Sequence, residues 1–216
     1  MQYKNIKMPI NTERGSLSVI GTGLVQTKAD LALLTVGVTT ESKSVKEAQD
    51  QNSEISKNLL RSLSDYGVPK ENIYTENLSI IRNYDYTNNV LISYKVTNTI
   101  TIIVNDFSKL NDIYSLAVEN GANDNINLNF TLSNPKYFYN QALKQASQDA
   151  LNKANLLSKS FGVKYNPIPC KIHENSSSLY SITYASPATY TSSPAIPSGL
   201  VKITAEIEVV FATYPF

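Results

Sequence analysis

Few side chains in this sequence are spaced for chemistry. Glu206 and Glu208 alternate on one strand, so their carboxylates share a face about 6.5–7 Å apart, between the separations of retaining and inverting glycosidase pairs. Lys202 shares that face, and neither carboxylate has an evident apolar pocket to raise its pKa, so a solvated strand face is expected. Cys170 and His173 stand three apart on a strand, point to opposite faces and cannot grip one metal together. Cys170 is in phase with Ile168 and Ile172 and is expected to be a small core hydrophobe. Gly21-Thr22-Gly23 lacks the third glycine of G-x-G-x-x-G and lies between two strands instead of opening a helix, so it predicts a turn or bulge. The Tyr84-Asp85-Tyr86 run has two readings: aromatic groups on a loop suit recognition, or the rings merely cover a hairpin. No catalytic, cofactor-binding or metal-ligating residue and no cofactor is expected, and the chain reads as a non-enzyme.

Composition narrows the classes further. The chain has 216 residues, 42% hydrophobic and 17% charged, enough for one or two compact domains with a buried core. A net charge of +1 leaves no basic excess for phosphate-backbone binding, so no nucleic-acid partner is expected. One Cys and one His are too few for an internal disulfide, and zinc, haem or Ser-His-Asp chemistry loses most of its raw material. The first 15 residues are broken by Lys4, Asn5, Lys7, Pro9, Asn11, Glu13 and Arg14, which is not the continuous apolar run of a secretory signal. No window reaches the ~18 apolar residues of a membrane span. A cytoplasmic protein is expected, with a periplasmic or exported one as the alternative if a leader has been removed.

Periodicity then supplies the elements. Ser16–Gly21 predicts a strand ending at Gly21-Thr22-Gly23, and Asp30–Thr40 a second with Ala32, Leu34, Val36 and Val38 on one side. Ser44 and Glu47 form a capping box for a helix carrying Val45, Ala48, Ile55, Leu59, Leu63 and Tyr66, stopped by Gly67 and Pro69. Ile73–Ile81 and Leu91–Val104 predict paired strands joined by residues 82–89. Asn98 falls on the apolar face of the second, which places it close to a bend or a sheet edge, where its amide can find partners. Ser108 predicts the N-cap of a second helix ending at Gly121. Ile126, Leu128, Phe130 and Leu132 alternate as a strand with one wet face. Asn134 and Pro135 open the longest helix, running to Phe161 before Gly162, with a stripe of Phe138, Ala142, Ala146, Ala150, Ala154, Leu157 and Phe161. A strand near Ile168–His173 and a long one from Leu200 to Phe211 close the chain.

The order β-β-α-β-β-α-β-α-β-β mixes hairpins with helical connections and predicts an α+β fold of antiparallel sheet with three helices packed on one side. An N-terminal tail at 1–15 precedes a single domain at 16–213, interrupted by a Ser/Thr/Tyr/Pro-rich insertion at 175–199 that is either functional or disordered. If ordered, Leu179 to Tyr184 extends the preceding strand into an arm. Long strands such as Leu91–Val104 leave unpaired main-chain donors where they overhang, which self-association would satisfy.

The chain resembles the SIMPL-domain family, a domain of unknown function. The residues that carry the likeness are Leu17-Ser18-Val19-Ile20-Gly21-Thr22-Gly23 with Lys28-Ala29-Asp30, then Val36-Gly37-Val38, Ala48 and Gly67-Val68-Pro69. Ile73-Tyr74-Thr75-Glu76-Asn77, Tyr84-Asp85-Tyr86, Tyr94-Lys95-Val96-Thr97-Asn98, Asn120-Gly121-Ala122 and Leu132-Ser133-Asn134-Pro135 complete it, from about Leu17 to Phe211. Ala29 stands where the family commonly has Pro, and Asn134 where Asp is common; Asn caps a helix as well as Asp does. The resemblance implies a periplasmic or surface-associated bacterial protein, a ring- or channel-like homo-oligomer, and a link to oxidative-stress defence. It brings no catalytic residues. The expected function is therefore structural: homo-oligomeric assembly, with a monomeric module binding a small ligand or protein partner as the alternative. Candidate interaction residues are Tyr84, Asp85 and Tyr86 in the hairpin and Leu179, Tyr180, Tyr184 and Tyr190 in the insertion.

Overall fold

The computed structural model describes residues 15–175, 183–184 and 200–215. In chain order the elements are β1 (Gly15–Lys28), β2 (Leu31–Ser42), α1 (Val45–Tyr66), β3 (Ile73–Asp85), β4 (Val90–Val104), α2 (Leu110–Glu119), β5 (Asp124–Thr131), α3 (Pro135–Phe161), β6 (Val163–Tyr165), β7 (Lys171–Glu174), β8 (Thr183–Tyr184) and β9 (Leu200–Pro215). The class is α+β, with two antiparallel sheets. The chain divides into two compact units, one centred on residues 28–133 and the other on β1, α3 and the last strand. The helices are shared out between them, α1 and α2 in the first and α3 in the second.

In the first unit the sheet order is β3-β4-β2-β5. Val36 pairs with Ile100, Leu34 with Ile102 and Leu34 with Leu128, so apolar residues of three strands line one face. They pack with Leu59 and Leu63 of α1 and Leu110, Ile113 and Ala117 of α2 into a single core. Ser44 caps α1 by accepting from the Glu47 N–H, but the Glu47 carboxylate reaches Ser42 Oγ at 2.6 Å, so the capping box is half formed. Gly67 at φ 98° ends the helix, with the Val68 N–H donating to Leu63 O. The N-cap expected at Ser108 belongs to Asp106 instead, whose carboxylate accepts from the Ser108 N–H and leads a 3-10 turn into α2.

Asn98 lies neither at an edge nor at a bend. It sits in mid-sheet, between Leu78 of β3 and Val38 of β2. The sheet tolerates it because α1 carries polar groups one turn apart: Asn98 Nδ2 donates to Ser56 Oγ at 3.0 Å, and Asn52 Nδ2 donates to Val38 O at 2.7 Å. Asn98 Oδ1 is buried without a hydrogen-bond partner.

In the second unit β9 is central, flanked by β1 and β6, with β7 and β8 also pairing to it. Val201, Ile203, Ala205, Ile207, Val209 and Phe211 are buried along β9 in the expected alternation. β1 corrects the sequence reading, because the strand does not end at Gly21-Thr22-Gly23 but runs on through it to Lys28 without a turn. A Cβ on Gly23 would lie 1.9 Å from Ala142 O, and one on Gly21 would lie 2.1 Å from Ala146 O. These glycines let α3 press its main chain against the strand. The helix meets them with Ala142, Ala146, Ala150 and Ala154, all buried, while Phe161 at the end of the expected stripe is exposed. Asn134 caps α3 by accepting from the Tyr137 N–H, and Gly162 at φ 61° ends it.

Candidate interaction surface

The two sheets end in edge strands that differ in kind. β1 is closed by its own helix. Thr22 N–H donates to Asp149 Oδ2 at 2.9 Å, Leu24 N–H donates to Gln145 Oε1 at 3.1 Å, and Ile20 O accepts from Lys153 Nζ at 2.8 Å. Gln145, Asp149 and Lys153 recur every fourth residue along α3, while Leu24, Thr22 and Ile20 recur every second residue back along β1. Four helical residues rise about 6 Å and two strand residues about 6.7 Å, so three successive caps stay in step. Lys153 also pairs with Asp149 at 2.7 Å, and these donors hold the Asp149 carboxyl below its usual range, Lys153 first and then Thr22 N–H. Three of the main-chain groups that another strand would need here are already taken.

β3, at the edge of the other sheet, has no such cover among the described residues. Between irregularities at Thr75/Asn77 and Asn83/Tyr84, the stretch from Asn77 to Asn83 pairs regularly with β4 on its inner side. Its apolar side chains are open on both faces: Leu78 is 60%, Ile80 44% and Ile81 59% exposed. Beyond them the hairpin carries exposed Val90 and Ile92 of β4. The sequence marks this spot by Ile80-Ile81, adjacent apolar residues on a strand where a single buried face would alternate.

The hairpin turn holds the first group of sequence candidates. Asp85 accepts from Thr87 N–H at 2.9 Å, Asn88 N–H at 3.2 Å and Asn88 Nδ2 at 2.7 Å. These bonds commit its carboxylate to the turn and hold its pKa below the usual range, the Asn88 amide first. The Tyr84 and Tyr86 rings lie 5.9 Å apart at a 46° tilt, and Tyr84 OH donates to Asn89 O at 3.4 Å. Asn89 takes the left-handed conformation at φ 53°, which Asn adopts more readily than most residues. Tyr86 is 89% exposed. Tyr184 lies in β8, and Leu179, Tyr180 and Tyr190 fall outside the described residues.

The face of the first sheet opposite its helices carries polar cross-strand pairs. Hydroxyls pair across strands at Thr35–Thr101 (3.0 Å) and Thr39–Thr97 (2.8 Å), and Thr39 Oγ1 donates to Asp124 at 2.7 Å. Glu41 accepts from Ser93 and from Asn83 Nδ2, bonds that lower its pKa in that order. Each carboxylate on this face already has donors within its own sheet.

The remaining candidates lie on the second unit. Glu208 accepts from Ser18 Oγ at 2.9 Å and Glu206 accepts from Asn175 Nδ2 at 2.8 Å, so the two carboxylates turn to different partners. Cys170 is exposed and not in a core: it directly precedes β7, which among the described residues pairs only with β9, and Ile168 and Ile172 are exposed with it. Its Sγ donates to Val210 O at 3.2 Å. His173 sits directly across from Glu208. Among the described residues no three His, Cys, Asp or Glu side chains gather to hold a metal ion, and no helix is long and apolar enough to cross a membrane.

An α+β chain whose one sheet edge is closed by a helix while another stands open defines a class by architecture, not by reaction. The particular family follows from sequence: the family of SIMPL proteins of unknown function (DUF541) matches residues 17–211, and the chain belongs to it. It is 27% identical to the 26 kDa periplasmic immunogenic protein of Brucella melitensis over 161 residues, 71% of this chain and 64% of that protein. The Brucella abortus protein of the same name is similar to the same extent. Against the uncharacterized protein YggE of Escherichia coli K12 the identity is 23% over 201 residues, 90% of this chain and 82% of that one.

Proposed function

We propose that this chain is a non-enzymatic, self-assembling SIMPL protein that works outside the cytoplasmic membrane. The observation that carries the reading is the open β3 edge with Leu78, Ile80 and Ile81 uncovered, on a molecule that closes its β1 edge with dedicated side chains. Exposed, uncharged strand edges invite pairing, and natural proteins cover or charge those that must stay single. The expected shape of the assembly is ring- or channel-like, and the expected setting is stress defence; both come from the family resemblance. The compartment is read as periplasmic, in place of the cytoplasmic expectation, because relatives carry that word in their names. Sedimentation of the purified chain across a hundredfold concentration range tests the reading. A mass at least twice 23.9 kDa is expected. A single 23.9 kDa species at every concentration would leave the monomeric binding module, with Tyr86 at its tip, as the better account.

A further inference from the structure

We propose that the seam between two copies is β3 itself, paired antiparallel with β3 of a second copy about a two-fold axis at Ile80. The inference rests on the self-assembly reading and gives it an address.

The stretch that pairs regularly with β4 runs from Asn77 to Asn83, and Ile80 is its middle residue. Laying a second copy along it in the antiparallel sense opposes Ile80 with Ile80, Ser79 with Ile81, Leu78 with Arg82, and Asn77 with Asn83 of the other chain. Opposed residues share a face. On the face that also carries Leu78, the two Ile80 side chains meet and each Arg82 lays its aliphatic stem over a Leu78. On the other face Ile81 gains cover and the amides of Asn77 and Asn83 come opposite each other. Arg82 is the one charged residue in these seven, and its counterpart is Leu78, so no like charges face each other. That self-complementarity is what selects a second copy over a foreign strand, because a two-fold seam must satisfy its own sequence. The same pairing is denied to β1, where a neighbour would compete with Asp149, Gln145 and Lys153 for the main chain.

Two substitutions in the full chain read the seam directly. Ile80→Lys sets two ammonium groups across the axis and is expected to weaken self-association at least tenfold in sedimentation. Circular dichroism, and the urea midpoint at a dilution where wild type is monomeric, stay close to wild type, since Ile80 is 44% exposed. Leu24→Lys, an exposed change on the closed β1 edge, is expected to leave the mass unaltered. In a Cys170→Ser background, single cysteines placed in turn at residues 77–83 are then oxidised. Opposed Cα atoms in an antiparallel pair lie about 4.5–5.5 Å apart, within disulfide range, and only residue 80 opposes itself, so like-with-like cross-linking is expected to peak at 80 and fall away on both sides. A wild-type assembly that keeps its mass in Ile80→Lys and cross-links evenly or not at all overturns the seam and leaves self-assembly standing. A wild-type chain that is monomeric throughout overturns both.

Discussion

The two long helices are seated on their sheets by opposite means. α1 buries Leu59 and Leu63 among Leu34, Val36, Ile100 and Ile102, a contact made of large side chains. α3 buries four alanines over two glycines, a contact made by removing side chains until main chain nearly touches main chain. The difference sets what each helix can do next. The leucine-seated helix reaches its strands only in mid-sheet, through Asn52 to Val38 O and Ser56 to Asn98, and not at the sheet's edge. One lying within van der Waals reach of β1 can lend Gln145, Asp149 and Lys153 to the strand's edge. Close packing is thus the condition for closing an edge, and the sheet under α1 and α2 keeps β3 open.

If that contrast is right, the two seats fail in opposite directions. Enlarging Gly23 is the severest change: a valine there would drive Cβ to within 1.9 Å of a helix carbonyl that cannot move without lifting α3. Gly23→Val is expected to cost more than about 4 kcal/mol, seen as loss of the cooperative urea transition or a large fall in its midpoint. A loss below about 1 kcal/mol would mean that α3 has slack and the close approach is incidental. Shrinking is what hurts the other seat. Leu59→Ala leaves a cavity in a core with no water access and is expected to cost about 3 kcal/mol by the same measurement. Equal tolerance at both positions would erase the distinction.

The sequence announced one seat and misread the other for a reason internal to the patterns. Alternation over Ala32–Val38 and helical spacing over Leu59–Leu63 speak of large apolar faces, and both elements lie where that pattern puts them. Gly21-Thr22-Gly23 looked like punctuation because glycine usually marks turns; its meaning here depends on Ala142 and Ala146, more than a hundred residues away. The alanines of α3 are legible as one stripe at helical spacing, yet nothing local names the strand they approach. Asn98 failed similarly: its partner Ser56, which in turn donates to Asn52, sits on a helix whose polar side looks solvated until it is docked. Of the candidate surface, the Tyr84–Tyr86 hairpin was legible as a turn, whereas the role of Asp85 as the turn's own acceptor needed its geometry. The openness of Leu78 and Ile81 was hidden because periodicity records which faces are apolar and not which are covered.

The smallest expected effect tests the cap itself. Asp149 is a partly exposed carboxylate, so Asp149→Ala is expected to cost about 1 kcal/mol or less near neutral pH, water replacing it at Thr22 N–H. Its pH dependence is more telling than its size. Because Lys153 and the Thr22 N–H hold the folded carboxyl below the ordinary range, the folded chain stays ionised at a pH where the unfolded chain has taken up a proton. The contribution is therefore complete above the ordinary aspartate value of about 4 and is lost as the pH falls through the lower folded value. Urea midpoints of wild type and Asp149→Ala measured from pH 7 to pH 2 should run parallel down to about pH 4 and converge below it. Curves that stay parallel to the acid end would mean that Asp149 gains nothing from its charge, leaving β1 held by Gln145 and the alanine contact alone.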